Sequence, residues 1–328
     1  MKFLVRNVAS EYGIAIVTTS SNLLMTWLAA GALSLGTVTP VVADAVSDCN
    51  AAKVVDTGIL GCSAIIRSTA TEKFRVVQAY GRRGQLFMQR TDYDRAIADL
   101  DKAIALGGKQ AIFYLSRGVA LSLNGDHAKA LPDINHAIQL NPKDAKALAF
   151  RADAYLRVND YTSAIADFTS AIALNPRDVP THFRRGMAFL ATEQVALAIE
   201  DFDAITQIDR AAASGYAGRG LAYIDKGDEE RALVEFGKMQ VVDPTSLMPY
   251  LNRALMHANH ARYREAALEW DQALVLQPVS DIANRCRGYI KYYSGDFAGA
   301  ATALTEPRYV FAAAGLLGCS SCEWESDR

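Results

Sequence analysis

The sequence is poor in almost every signal of specialised chemistry. Only five of its 328 residues are cysteine, too few and too scattered for a disulfide-stapled miniprotein or an evident zinc module. The formal net charge is −2, which excludes binding of nucleic acid by phosphate neutralisation alone and excludes an acidic solvating tail. No His-Glu-x-x-His, P-loop, Gly-x-Ser-x-Gly elbow or dinucleotide fingerprint occurs. What is present, 51% hydrophobic and 21% charged residues, is the composition of an ordinary globular protein of about two domains.

The longest apolar run lies near the N-terminus. Lys2 and Arg6 precede the stretch 22–33, which weakens through Ser34, Thr37, Thr39 and Pro40 before Val41-Val42-Ala43 meets Asp44. A basic start, a short apolar core and small residues before a cut describe a secretory signal peptide over 1–43 or 1–45. An uncleaved N-terminal membrane anchor is the alternative, since Leu23 to Val42 is just long enough to span a bilayer. The mature chain is expected to be periplasmic or secreted, with no stable membrane span, and the true start codon stays open. Export carries every cysteine into an oxidising compartment. Cys49 and Cys62, thirteen residues apart and before the regular structure, read as a disulfide tying down a Cys-containing segment over 44–76. The alternative is that Cys62 is a small buried apolar residue.

From residue 77 the sequence repeats every 34 residues. Ala96, Ala130, Ala164, Ala198, Ala232, Ala266 and Ala300 form one unbroken column, and Gly84, Gly118, Ala152, Gly186, Gly220, Ala254 and Gly288 form another. Pro142, Pro176, Pro244 and Pro278 close four of the repeats. Each repeat holds two apolar-periodic runs of about a dozen residues parted by turn residues such as Asn124-Gly125-Asp126, which predicts two antiparallel helices. The small columns mark where those helices approach closely. A single pair cannot bury its apolar face, so the repeats must stack.

This period and pattern resemble the tetratricopeptide repeat family, with a more general likeness to exported members from alphaproteobacteria. The resemblance implies an all-α, right-handed superhelical solenoid of about seven repeats starting at 77, 111, 145, 179, 213, 247 and 281 and running to residue 304. Residues 50–70 echo the second half of a repeat and read as a degenerate cap, and 305–328 as an irregular tail.

Arginine supplies the exceptional column: Arg83, Arg117, Arg151, Arg185, Arg219, Arg253 and Arg287. Sixteen residues after the first six stand Asp99, Asp133, Asp167, Asp201, Glu235 and Glu269, and the acid column breaks at Ala303. In an antiparallel pair that spacing sets the two side chains opposite each other, which predicts a self-neutralising structural ladder rather than an anion channel. His257 and His260 have a spacing that can bind metal, but His257 falls in a column of packing aromatics, and no metal or cofactor is expected. Cys319 and Cys322 have redox-motif spacing without the surrounding fold, so an oxidised pair, or a bridge from one of them to Cys286, is the expectation.

No catalytic residue is expected. The resemblance implies a concave groove lined by the first helices of the repeats. It carries that role onto Phe183, Met187, Leu190, Leu221, Ile224, Leu251 and Leu255, then onto Arg285, Tyr289, Tyr292 and Tyr293. For the tyrosines, packing beneath the C-terminal tail is an equal alternative. The expected function is a non-enzymatic exported scaffold that binds a protein or peptide segment and no nucleic acid. The alternative is a regulatory or accessory subunit of a cell-envelope enzyme or secretion complex. N-terminal sequencing of the chain recovered from cells should read from Asp44 or Val46; a chain that retains Met1 and sediments with membranes supports the anchor instead.

Overall fold

The computed structural model describes residues 40–51, 54–69 and 71–277, with a few positions between 287 and 299. The described residues carry fourteen α-helices and no strand. They run as α1 (Pro40–Ala51), α2 (Val55–Arg67), α3 (Lys73–Gln89), α4 (Tyr93–Ala105), α5 (Ala111–Leu123), α6 (His127–Leu140) and α7 (Ala145–Arg157). Then follow α8 (Tyr161–Leu174), α9 (Val179–Ala191), α10 (Val195–Ile208), α11 (Ala213–Asp225), α12 (Glu229–Val242), α13 (Met248–Asn259) and α14 (Tyr263–Leu276). The chain divides into two compact units at the Pro176–Arg177 junction. Within each, every first helix packs on its own second helix and also touches the first helix of the next pair.

The turns inside the pairs have one local cause. Residues Thr91, Gly125, Asn159, Glu193, Gly227 and Ala261, again 34 apart, all sit in the left-handed region, with φ between 55° and 92°. The N–H of the following residue donates back to a carbonyl five residues earlier, as Asp126 does to Leu121 and Asp160 to Tyr155, both at 2.9 Å. This is the Schellman closure of a helix end, which satisfies carbonyls that the helix itself leaves free. Glycine fits that backbone without strain, whereas Thr91, Glu193 and Ala261 adopt it at about 1 kcal/mol or more. Asp92, Asp160 and Asp228 then cap the second helix, each accepting a backbone N–H three residues on.

Close approach between the two helices fixes the pair. Ala96, Ala130, Ala164, Ala198, Ala232 and Ala266 are wholly buried. The column of Gly84, Gly118, Ala152, Gly186, Gly220 and Ala254 faces a bulky one sixteen residues on: Leu100, Ile134, Phe168, Phe202, Phe236 and Trp270, all buried. A methyl group added at Gly220 would lie 2.2 Å from Phe236, and one at Gly118 would lie 2.6 Å from Ile134. Overpacking of this kind costs about 1–3 kcal/mol, so the missing side chain is part of the design.

The N-terminal segment differs from the half-repeat that the sequence suggested. Residues 40–67 make a complete helix pair, because the small residues Gly61 and Ala45 let α1 and α2 pack directly; a methyl group at Gly61 would meet the carbonyl oxygen of Ala45 at 2.8 Å. Cys49 and Cys62 lie inside these helices rather than ahead of regular structure, and a disulfide joins them with their Cα atoms 4.6 Å apart. Cys62 falls 34 residues before Ala96, and Cys49 the same distance before Arg83. This pair therefore has a covalent bond where the others have an alanine and an ion pair. The segments 1–39, 278–286 and 300–328, with the signal peptide, Cys286, Cys319, Cys322 and the tail, lie outside the described residues.

Replacing Cys62 with alanine restores the residue of its column without a clash. By the loop-closure argument, C62A should lower stability by about 2–3 kcal/mol, measured by denaturant unfolding under oxidising conditions. Under full reduction the difference from the unmodified chain should vanish.

Candidate functional surface

The arginine column lies between the helices of each pair, where a cation needs partners on more than one side. Arg83, Arg117 and Arg151 each grip the carboxylate sixteen residues on with a two-pronged fork, Nε and Nη2 to the two oxygens, at 2.6–2.8 Å. Arg185 grips Asp201 in the same way at 2.7–2.8 Å, and Arg219 closes both prongs on one oxygen of Glu235. His182 joins this rung through Nδ1, 2.8 Å from Asp201. The carboxylates at 99, 133, 167, 201 and 235 are buried. The guanidinium groups of Arg83, Arg151, Arg185 and Arg219 also lie within 6.0 Å of aromatic rings, Arg151 over Tyr155 and Arg219 over Tyr216 among them.

The third nitrogen shows what the sequence reading missed. Nη1 of Arg117 reaches back sixteen residues to Asp101 at 2.5 Å, and that of Arg151 to Asn135 at 2.9 Å. Arg219 reaches Asp203 at 2.8 Å, and Arg287 reaches Asp271 at 3.2 Å. Each of these arginines thus bonds a second helix of the preceding pair, so the ladder also stitches neighbouring pairs together. The acceptors form a column of their own, two residues after the acids, which a search for polar residues at the same period would have found. Where that column holds Gly237, Arg253 turns to Gln240 instead, at 3.3 Å. Its nitrogen lies 2.9 Å from Glu269, but an oxygen of that carboxylate is buried without a well-directed hydrogen bond.

Hydrogen bonds to Asp99, Asp133 and Asp167 hold the Arg83, Arg117 and Arg151 guanidinium groups above their ordinary proton affinity. Burial opposes the charge of Arg219, and its bonds to Glu235 and Asp203 outweigh it. All four stay charged at any physiological pH, with their donors taken up inside the protein.

The expected groove residues fall into three groups. Phe183, Met187, Leu190 and Leu251 are buried, Phe183 with its ring centroid 5.7 Å from that of Phe202. Leu221, Ile224 and Leu255 are partly exposed on α11 and α13. Arg285, Tyr289, Tyr292 and Tyr293 lie outside the described residues. The two histidines of α13 do not converge: His257 buries Nδ1 without a partner, whereas His260 directs Nδ1 to the Met256 carbonyl and Nε2 to Glu229. Among the described residues no three His, Cys, Asp or Glu side chains are gathered as metal ligands. No described helix is long and apolar enough to cross a membrane.

The family model that matches is a tetratricopeptide repeat, over residues 82–145 and 151–213. The chain carries tetratricopeptide repeats. Its columns continue the same register on both sides of the matched segments. A crystal structure of a tetratricopeptide repeat protein from Parabacteroides merdae is similar at 17% identity and a TM-score of 0.60, covering 76% of this chain and 95% of that one. The PilF protein of Pseudomonas aeruginosa is similar at 17% identity and a TM-score of 0.52, over 63% of this chain and 95% of its own. So is the Cut9–Hcn1 assembly of the APC/C, at 13% identity, a TM-score of 0.52 and coverage of 76% and 52%. At such identities the likeness is one of fold. No curated protein sequence matches the chain. Tetratricopeptide solenoids generally mediate protein–protein interaction, and the repeat is typically a scaffold rather than a catalyst.

The ladder can be tested in one rung. Arg151→Met strands the buried Asp167 carboxylate and should cost about 2–4 kcal/mol in denaturant unfolding. Adding Asp167→Leu removes the stranded charge and should recover most of that loss. Equal destabilisation by the single and the double variant would show that the pair is held by something other than its mutual charge.

Proposed function

We propose that this chain is an exported, non-enzymatic scaffold that binds a protein or peptide segment along the face built by its first helices. The observation that carries the reading is the row of apolar side chains on α11 and α13. Leu221 and Leu255 occupy the same position of successive repeats and, with Ile224, keep part of their surface open to solvent. A repeated apolar foothold on touching helices suits an extended or helical segment, which gains affinity from several small contacts in series. The arginines do not compete for such a ligand, since the ladder occupies their donors. The disulfide between α1 and α2 supports export, because such bonds persist in oxidising compartments.

The test uses the full chain immobilised against envelope extract, beside a variant carrying Leu221→Asp and Leu255→Asp. Both positions are partly exposed, so the variant should keep its helical circular dichroism. The expected result is a stoichiometric partner, identified by mass spectrometry, that the variant no longer retains. A partner held equally by both proteins places the interface away from this face and overturns the reading.

A further inference from the structure

Several apolar side chains of this protein face solvent, and the repeat separates those that belong to the fold from those that do not. Leu140, Leu174 and Leu276 are exposed at one position of three repeats, the last residue of the second helix. That pattern belongs to the repeat. Val234 and Val241 on α12, with Leu268 and Val275 on α14, are different: they are 51%, 80%, 65% and 74% exposed. The equivalent positions in the earlier repeats hold Ala98, Pro132, Ala166 and Glu200, then Ala105, Gln139, Ala173 and Gln207. Only these two neighbouring helices carry large apolar residues at both sites. On each helix the two residues are seven apart, on one face and about 10 Å along the axis.

Between Val234 and Val241 stands Gly237. A methyl group there would touch nothing among the described residues, and the residue's φ lies outside the left-handed range. Neither packing nor backbone conformation therefore asks for glycine, which costs about 0.5–1 kcal/mol in a helix interior relative to alanine. It also removes the acceptor that Arg253 lacks. A notch that no contact within the chain explains, flanked by exposed valines, fits a knob from outside.

We infer that this face pairs with a second copy of the same chain. α12 and α14 run in the same direction, since each packs beside α13 and reverses relative to it. A twofold axis parallel to the helices lays α12 of one copy over α14 of the other, with Val234 on Leu268 and Val241 on Val275. The same register brings Asp271 of the second copy over the Gly237 notch and beside Lys238. Both charged groups are about half exposed, Lys238 at 50% and Asp271 at 43%, and each keeps its own partner, Glu235 or Arg287. The other face-to-face twofold, perpendicular to the helices, sets Lys238 on Lys238 and Asp271 on Asp271. Charge and size thus select one isologous arrangement.

Light scattering on the full chain, run over a range of concentrations, reads this directly. The unmodified protein should move from one chain mass to two as concentration rises. Gly237→Leu fills the notch without touching the chain's own core, so it should hold the mass at one chain while the melting temperature stays level or rises. Val241→Glu should do the same by burying a charge against Val275. A single-chain mass at every concentration overturns the inference, as does a two-chain mass that survives both substitutions.

Discussion

The structure depends on one steric constraint: two antiparallel helices approach so closely at one level that one of them can carry only glycine or alanine there. That vacancy admits the ring or branched side chain sixteen residues on, as Gly220 admits Phe236 and Ala152 admits Phe168. Once the helices are this close, the residue just before the glycine lies over the residue just before the aromatic. In the repeats those two are arginine and a carboxylate. The ion pair is therefore a consequence of the close approach. It contributes less through net attraction than through the cost of leaving either charge unpaired, which disfavours any other helix register.

The first pair shows what happens when the charges are absent. Cys49 and Ile65 stand where later pairs have arginine and acid, and Cys62 replaces the buried alanine. Among the described residues this pair has a neighbour on one side only, so it gains less buried surface than one packed on both sides. A covalent bond between α1 and α2 offsets that deficit, and Arg82 adds a bond from the next pair to the Cys49 carbonyl, at 3.4 Å.

Much of this was legible in the sequence because a period of 34 turns single residues into columns. The helix pairs, the small columns, and the placing of arginine opposite acid all follow from spacing. The acceptor column at 101, 135, 203 and 271 is legible only as polarity, because it mixes Asp and Asn and has a gap at Gly237. Not legible at all were the left-handed turns at Thr91, Glu193 and Ala261, whose side chains do not favour that backbone and which closure of the helix end imposes. The second helix at the N-terminus was hidden because α1 begins within the segment read as a leader. The binding face is the least legible part. Its residues vary from one repeat to the next, and variation is what a periodicity argument discards.

The arginine network has a further consequence for how such a chain can change length. Arg117, Arg151 and Arg219 each bond residues sixteen positions ahead and sixteen behind, and those two offsets together fall two short of one full period. A deletion or duplication of 34 residues within one compact unit keeps such an arginine in register with both the acid column and the acceptor column. Any other length strands a guanidinium on one side and an acid on the other. A change of one whole repeat therefore preserves the register of the network, and a fractional change breaks it. The ladder acts as a ruler set to a repeat of 34 residues.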